Sequence, residues 1–257
     1  MAWRILKYIQ HLFYRKHRRG HGIHSPYVFE FVNRVLFNGD RVQVPASLID
    51  IHRELRNNPE RIPGGERTVR SFVRSASVSR QFGALLFRIA SWMKPGMILE
   101  LGTGLGVSTL YLASGLEHKS GPEAVDGQVH TIEGDASRAA FSKQLFKLYV
   151  PNSVQLHVGD VDEQLQVVMP ELTGRFLAFV DANHRQEATV RYLRILVDRA
   201  GKEALIVMDD IYWSRGMYRA WREVISWPEV RVSIDLFHMG ILLLRKDLPK
   251  TPYKIKF

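Results

Sequence analysis

Three glycines at alternate positions, Gly102, Gly104 and Gly106, follow the apolar run Met97 to Leu101, and an acid, Glu100, stands just before them. Glycine at a strand end lets a ligand approach the backbone, and a neighbouring acid can bind an amine or a hydroxyl. The segment continues through Thr103, Ser108 and Thr109 into helical spacing, so the unit reads as strand, tight turn, helix. Its spacing is Gly-x-Gly-x-Gly. A dinucleotide pyrophosphate site wants Gly-x-Gly-x-x-Gly, whose third glycine is replaced here by Val107, and this disfavours nicotinamide or flavin chemistry.

More acids stand at the ends of later apolar runs. Glu133 closes Val129 to Ile132 and is followed by Gly134, where a Rossmann-like site places the acid that pairs with ribose hydroxyls. It lies 27 residues after Gly106, beyond the usual interval of about 20, and Ser114 to Gly127 reads as the inserted loop that makes the difference. Gly159 and Asp160 follow Val154 to Val158, with helix capping as the other reading of Asp160. Asp181 follows Phe176 to Val180, and Asp209 and Asp210 follow Ala204 to Met208. In an open parallel sheet these ends share one rim, so three carboxylates are expected to converge beside the glycine loop.

Clustered carboxylates repel unless a cation or proton sits between them. Oxygen ligands suit Mg²⁺, Ca²⁺ or Mn²⁺; the other reading of Asp209 and Asp210 is that they cap the following helix or line the cofactor site. His184, three residues after Asp181, offers a proton acceptor, with a surface position as its alternative. Tyr212, Trp213 and Met217 read either as an apolar wall over a substrate or as packing.

Seven apolar runs must position these groups. Between the first five, Met97 to Leu101 through Ala204 to Met208, lie segments long enough for crossover helices, which is the pattern of a parallel sheet covered on both faces. Val230 to Leu236 and Ile241 to Leu244 are joined by only Phe237 to Gly240, so they are expected to form an antiparallel hairpin. Upstream, the spacing predicts an amphipathic helix through Ile5, Leu6, Ile9, Leu12 and Phe13, a second helix after Ser25-Pro26, a loop from Asn57 to Gly65, and a helix from Val78 to Met93 stopped by Lys94-Pro95-Gly96.

Charge is uneven along the 257 residues. Residues 1–94 carry 17 basic and 6 acidic side chains, so the whole net charge of +10 is owed to this third. Residues 1–24 therefore read as a contact for an anionic partner, a lipid surface or RNA, with a solvated or homodimer-packing face as the alternative. His21 and His24 lack a third ligand for zinc. The absence of cysteine excludes disulfides, thiol nucleophiles and Cys-ligated zinc. No apolar stretch is long enough to span a bilayer and no cleavable leader is recognised, which leads to the expectation of a cytoplasmic protein, with a peripheral membrane contact as an option.

From about Ser75 onward the sequence resembles the class I S-adenosylmethionine-dependent methyltransferases, whose first motif is an acid, any residue, then Gly-x-Gly-x-Gly after the first strand. The acids after the fourth and fifth runs resemble those of the metal-dependent O-methyltransferases of the catechol and caffeoyl-coenzyme A type. The resemblance implies a basic helical extension over residues 1–74 and a cofactor-binding domain over 75–257. It also implies an α/β fold with a Rossmann-like seven-stranded, mostly parallel sheet of order 3-2-1-4-5-7-6 and an antiparallel last strand.

Glu100, Gly102, Thr103, Gly104, Gly106 and Ser108 would hold the methionine part of S-adenosylmethionine, Glu133 and Gly134 the ribose, and Gly159 and Asp160 the adenine edge. Asp181 would touch both the cofactor and a divalent cation such as Mg²⁺, with Asp209 and Asp210 as its other ligands. That cation would fix a hydroxyl of a small-molecule acceptor. The family's general-base lysine is His184 here, so Asp181 and His184 are the catalytic candidates. Two other functions stay open: methylation of RNA or another polyanion through the basic N-terminal third, and a non-catalytic binding role on the same fold.

Overall fold

A computed structural model describes residues 2–13, 22–37, 42–118, 127–201 and 203–257. Arg15, Lys16, Arg18, Arg19 and His21 of the basic segment, and most of the expected insertion before Gly127, lie outside the described residues. The chain divides into two compact units, one of residues 1–38 with 172–257 and one of residues 39–171.

The first unit opens with α1 (Ala2–Phe13) and α2 (Pro26–Phe31). The Ser25 hydroxyl caps α2 by accepting from Val28 N–H, Pro26 occupies its first turn, and the helix continues as a π-helical stretch, Val32–Phe37. Helix α1 docks by its polar side. Trp3 meets Tyr218 edge to face, Lys7 lies over the Tyr218 ring, Tyr8 meets Phe237, and His11 is buried. The apolar stripe read from the sequence points the other way: Ile5 and Leu6 are each 55% exposed and Phe13 is 83% exposed.

The second unit carries α3 (Ala46–Asn57), α4 (Val69–Ala76) and α5 (Arg80–Met93) ahead of β1 (Met97–Leu101), α6 (Val107–Glu117), β2 (Gln128–Glu133), α7 (Ala136–Tyr149), β3 (Val154–Val158) and α8 (Val161–Val168). Thr68, Ser79, Asp135 and Asp160 cap α4, α5, α7 and α8 with their side chains. β2 pairs in parallel with β1 on one side and β3 on the other, and every residue of β1 is buried. Helix α5 ends on Lys94 in a left-handed conformation, φ 46°, where a side chain is strained. Lys94→Gly is therefore expected to stabilise the fold by about 1 kcal/mol, read as a higher midpoint in thermal unfolding.

The rest of the first unit runs β4 (Phe176–Val180), α9 (Gln186–Arg199), β5 (Leu205–Met208), α10 (Arg215–Val224), β6 (Val232–Asp235), β7 (Gly240–Leu243) and β8 (Thr251–Lys254). β4 and β5 are parallel, β7 is antiparallel to both β5 and β6, and β8 lies parallel to β6. The expected hairpin is thus present. This is the Rossmann-like, mostly parallel α/β fold with antiparallel strands near its C-terminal end, but with eight strands among the described residues where seven were expected. The eighth was illegible because Thr251-Pro252-Tyr253-Lys254 has neither alternation nor a β-branched run. Thr251 N and Ile255 N donate to Arg231 and Asp235 of the β6 side, so Pro252 falls at a position whose missing N–H would point away.

Candidate active site

In the unit of residues 39–171 the glycine turn is held from beneath by Glu100. This carboxylate is fully buried, and its Oε2 accepts from Thr109 Oγ1 at 2.5 Å and Thr131 Oγ1 at 2.6 Å, tying the start of α6 to β2. Burial pushes Glu100 up to about 7 against the pull of the Ser108, Thr109 and Thr131 hydroxyls, and the charge of Glu133 adds to the rise. Its Oε1 has no hydrogen-bond partner among the described residues. Because the folded state retains a proton that the unfolded chain loses above pH 4.5, the contribution of Glu100 to stability falls as pH rises from about 4.5 to about 7 and is level beyond. Glu100→Gln is expected to flatten that part of the stability–pH curve, a change of up to roughly 3 kcal/mol, measurable by urea unfolding at stepped pH.

Gly104 and Gly106 have positive φ, 56° and 85°. A Cβ at Gly106 would strike the Phe146 ring at 2.6 Å, and one at Gly104 would press on Phe72 at 3.3 Å. Phe72, on α4, thus covers the turn. The guanidinium groups of Arg67 and Arg138 stand 5.1 Å and 5.7 Å from its ring centre. Sequence reasoning missed Phe72, which lies upstream of the motif with no pattern linking it to the glycines.

Glu133 ends β2 almost fully buried. Its Oε2 accepts from Gly104 N–H at 2.8 Å, and its Oε1 accepts from Asp135 N–H and from Arg138, at 2.8 Å and 2.7 Å. The acid expected for ribose therefore meets the glycine turn directly. Gly134 follows it as an exposed residue, and Gly159 N–H donates to the Glu133 carbonyl at 3.0 Å. Asp160 caps α8, its Oδ1 accepting from Asp162 N–H at 2.8 Å. Thr103 and Ser108 are buried, with Thr103 Oγ1 2.6 Å from Thr131 Oγ1.

In the unit of residues 1–38 and 172–257 the ends of β4 and β5 bring their acids to His184. Its Nε2 lies 3.4 Å from Asp181 Oδ1 and 3.4 Å from Asp210 Oδ2. Asp209 N–H donates to the Val180 carbonyl, registering β5 against β4 at this point. Burial, and then the neighbouring Asp210 charge, raise Asp209 to about 7, while His184 and Arg4 pull it down. Asn183, His184 and Asp210 all have left-handed backbone, φ 67°, 49° and 52°. Such strain costs on the order of 1–3 kcal/mol per residue and is concentrated where side-chain placement matters.

Of the expected apolar wall, Tyr212 and Met217 are packing residues. Tyr212 is buried, stacks on Phe237 and donates to Asp235 at 2.8 Å. Trp213 is half exposed and meets the His184 ring edge to face.

The acids expected to hold a divalent cation are met here by side chains of the protein itself. Arg4 Nη2 lies 3.7 Å from Asp210 Oδ1, so Asp210 faces Arg4 with one oxygen and His184 with the other. Among the described residues no group of three His, Asp or Glu side chains forms a ligand set. Asp181 and Asp210 both reach His184, next to Asp209, and the Arg4 guanidinium and the His184 imidazole stand at the two Asp210 oxygens.

Comparison with known proteins agrees with this architecture. Residues 99–211 match the model of a methyltransferase domain. A catechol O-methyltransferase of Mycobacterium tuberculosis is 31% identical over 144 residues, which is 55% of this chain and 60% of that protein. The chain thus spans less than two thirds of the length of that curated relative. Among solved structures, a methyltransferase of Podospora anserina bound to S-adenosylhomocysteine superposes with a TM-score of 0.62 at 20% identity, covering 88% of this chain and all of that one. An O-methyltransferase of Bacillus cereus, also with S-adenosylhomocysteine, gives 0.59 at 17% identity over 81% and 96%. The fold is the one these methyltransferase structures share, and residues 99–211 match a methyltransferase domain. The sequence relative is named as an O-methyltransferase acting on catechol, and the Bacillus cereus neighbour as an O-methyltransferase.

Proposed function

We propose that the protein transfers a methyl group from S-adenosylmethionine to an oxygen of a small molecule. The observation that carries this reading is the glycine turn, where Glu133 meets Gly104 N–H and Glu100 keeps one buried carboxylate oxygen without a partner. An ammonium group is the donor such an oxygen lacks, and the Glu133 carboxylate suits a ribose diol. In this reading Gly102, Thr103 and Ser108 accompany Glu100 on the methionine side, and Gly134, Gly159 and Asp160 line the nucleoside side. Residues 75–257 form the catalytic domain and residues 1–74 its extension.

When bound, S-adenosylmethionine supplies an electrophilic methyl group whose bond to sulfur breaks as the acceptor oxygen attacks. The chain supplies the proton acceptor. Asp181 and Asp210 both face Nε2 of His184 and favour the tautomer with its hydrogen there, which leaves Nδ1 as the basic nitrogen. His184 takes the acceptor's hydroxyl proton, and the two carboxylates stabilise the resulting imidazolium. Calorimetric titration with S-adenosylmethionine and S-adenosylhomocysteine tests the reading: micromolar binding of either is expected, and no binding of both refutes it.

A second proposal concerns residues 1–24, namely a peripheral contact with an anionic lipid surface. The outward apolar side of α1 and the basic residues that follow it in sequence support this contact. Among the described residues no helix is long and apolar enough to cross a membrane. Co-sedimentation with vesicles containing phosphatidylglycerol, but not with neutral ones, is the expected result. A stable dimer in solution without vesicle binding would instead assign the face to a second copy of the chain.

A further inference from the structure

The carboxylates that follow β4 and β5 are met by two nitrogen-bearing side chains of the protein itself, one of which arrives from the far end of the sequence. Arg4 on α1 approaches Asp210 at 3.7 Å and lies 5.0 Å from the centre of the Trp213 ring. Trp213 in turn meets the His184 ring at 6.3 Å, and His184 Nε2 stands 3.4 Å from both Asp181 and Asp210. Arg4, Trp213 and His184 form one contiguous set around the acids. The docking of α1 by its polar side is what delivers Arg4: Trp3, Lys7, Tyr8 and His11 all contact the same unit.

A hard divalent cation needs several oxygens turned on one point. Here one oxygen of Asp210 faces the Arg4 guanidinium and the other the His184 imidazole, and an added dication would sit against a guanidinium, which cannot lose its proton. We propose that the Arg4 guanidinium, with the His184 imidazole beside it, takes the position that a divalent cation holds in the O-methyltransferases this sequence resembles, so that the acceptor side works without a metal and Arg4 is a positioning residue. The purpose of the arrangement rests on the methyl-transfer reading; the exclusion of metal does not. Arg4 holds Asp210 against His184, and the imidazole is thereby fixed by two carboxylates rather than one.

The test measures bound metal directly, by water-proton relaxation during titration with Mn²⁺. It is run on the intact protein, on Arg4→Lys and on the Arg4→Ala/His184→Ala double variant, each checked by circular dichroism and by titration with S-adenosylhomocysteine. The intact protein and Arg4→Lys are expected to bind no Mn²⁺ in the micromolar range, and the double variant, whose acids have lost both partners, is expected to do so. Micromolar binding by the intact protein that disappears in Asp210→Asn overturns the proposal, as does a folded double variant that binds none. Should the double variant not fold, Arg4→Gln, which keeps volume and removes charge, gives the same readout with the same two outcomes. Failure of every protein to bind S-adenosylhomocysteine would refute the cofactor reading while leaving the metal result intact.

Discussion

His184→Ala is expected to lower methyl transfer to the small-molecule hydroxyl acceptor by roughly 10²- to 10⁴-fold, the usual contribution of a positioned general base, while affinity for S-adenosylhomocysteine stays within about twofold. The split follows from the contacts, because His184 meets Asp181 and Asp210, whereas the glycine turn is met by Glu133. His184→Gly should lose activity equally yet prove more stable than the alanine variant by about 1 kcal/mol, since glycine adopts the left-handed backbone found at φ 49° without strain. Rapid-quench transfer of labelled methyl and thermal unfolding of both variants measure the two effects. Equal turnover in wild type and His184→Ala would remove the base from this position.

Glu133→Ala should act on the other side of the reaction. A charged hydrogen bond is worth about 1.5–3 kcal/mol, so affinity for S-adenosylhomocysteine is expected to fall by roughly 10- to 100-fold. Stability should also drop, because Gly104 N–H, Asp135 N–H and the Arg138 guanidinium all donate to this carboxylate and would lose their acceptor. Glu133→Gln keeps an acceptor oxygen and should recover part of the stability with less of the affinity. Calorimetry and urea unfolding on the same preparations separate the two contributions. Unchanged affinity in a folded alanine variant would show that the acid only organises the turn.

What was legible in the sequence was local. Alternate glycines after an apolar run, and acids at the ends of successive runs, announce their positions because strand ends in a parallel sheet share a rim. His184 was legible for the same reason, three residues beyond Asp181. Arg4 was not, since no periodicity ties it to Asp210, about two hundred residues away, and its role depends on which side of α1 faces the protein. The helix spacing marked Ile5, Leu6 and Phe13 as one apolar side without saying which side meets the protein; aromatic contacts from Trp3 and Tyr8, with burial of His11, turn that side outward. Phe72 and the buried pairing of His11 with Asp235 were hidden likewise, being contacts between segments distant in sequence.

The outermost strand of the first unit has a consequence for behaviour in concentrated solution. A bare strand edge is a template for pairing with another chain, and β6, whose four residues are all buried, would make a potent one. β8 closes that edge and presents in its place a strand carrying Pro252 and Lys254, two residue types that discourage further addition. Loss of this short segment would turn a self-limiting sheet into one open to intermolecular growth, so proteolytic trimming near Thr251 should show itself as aggregation well before any loss of secondary structure.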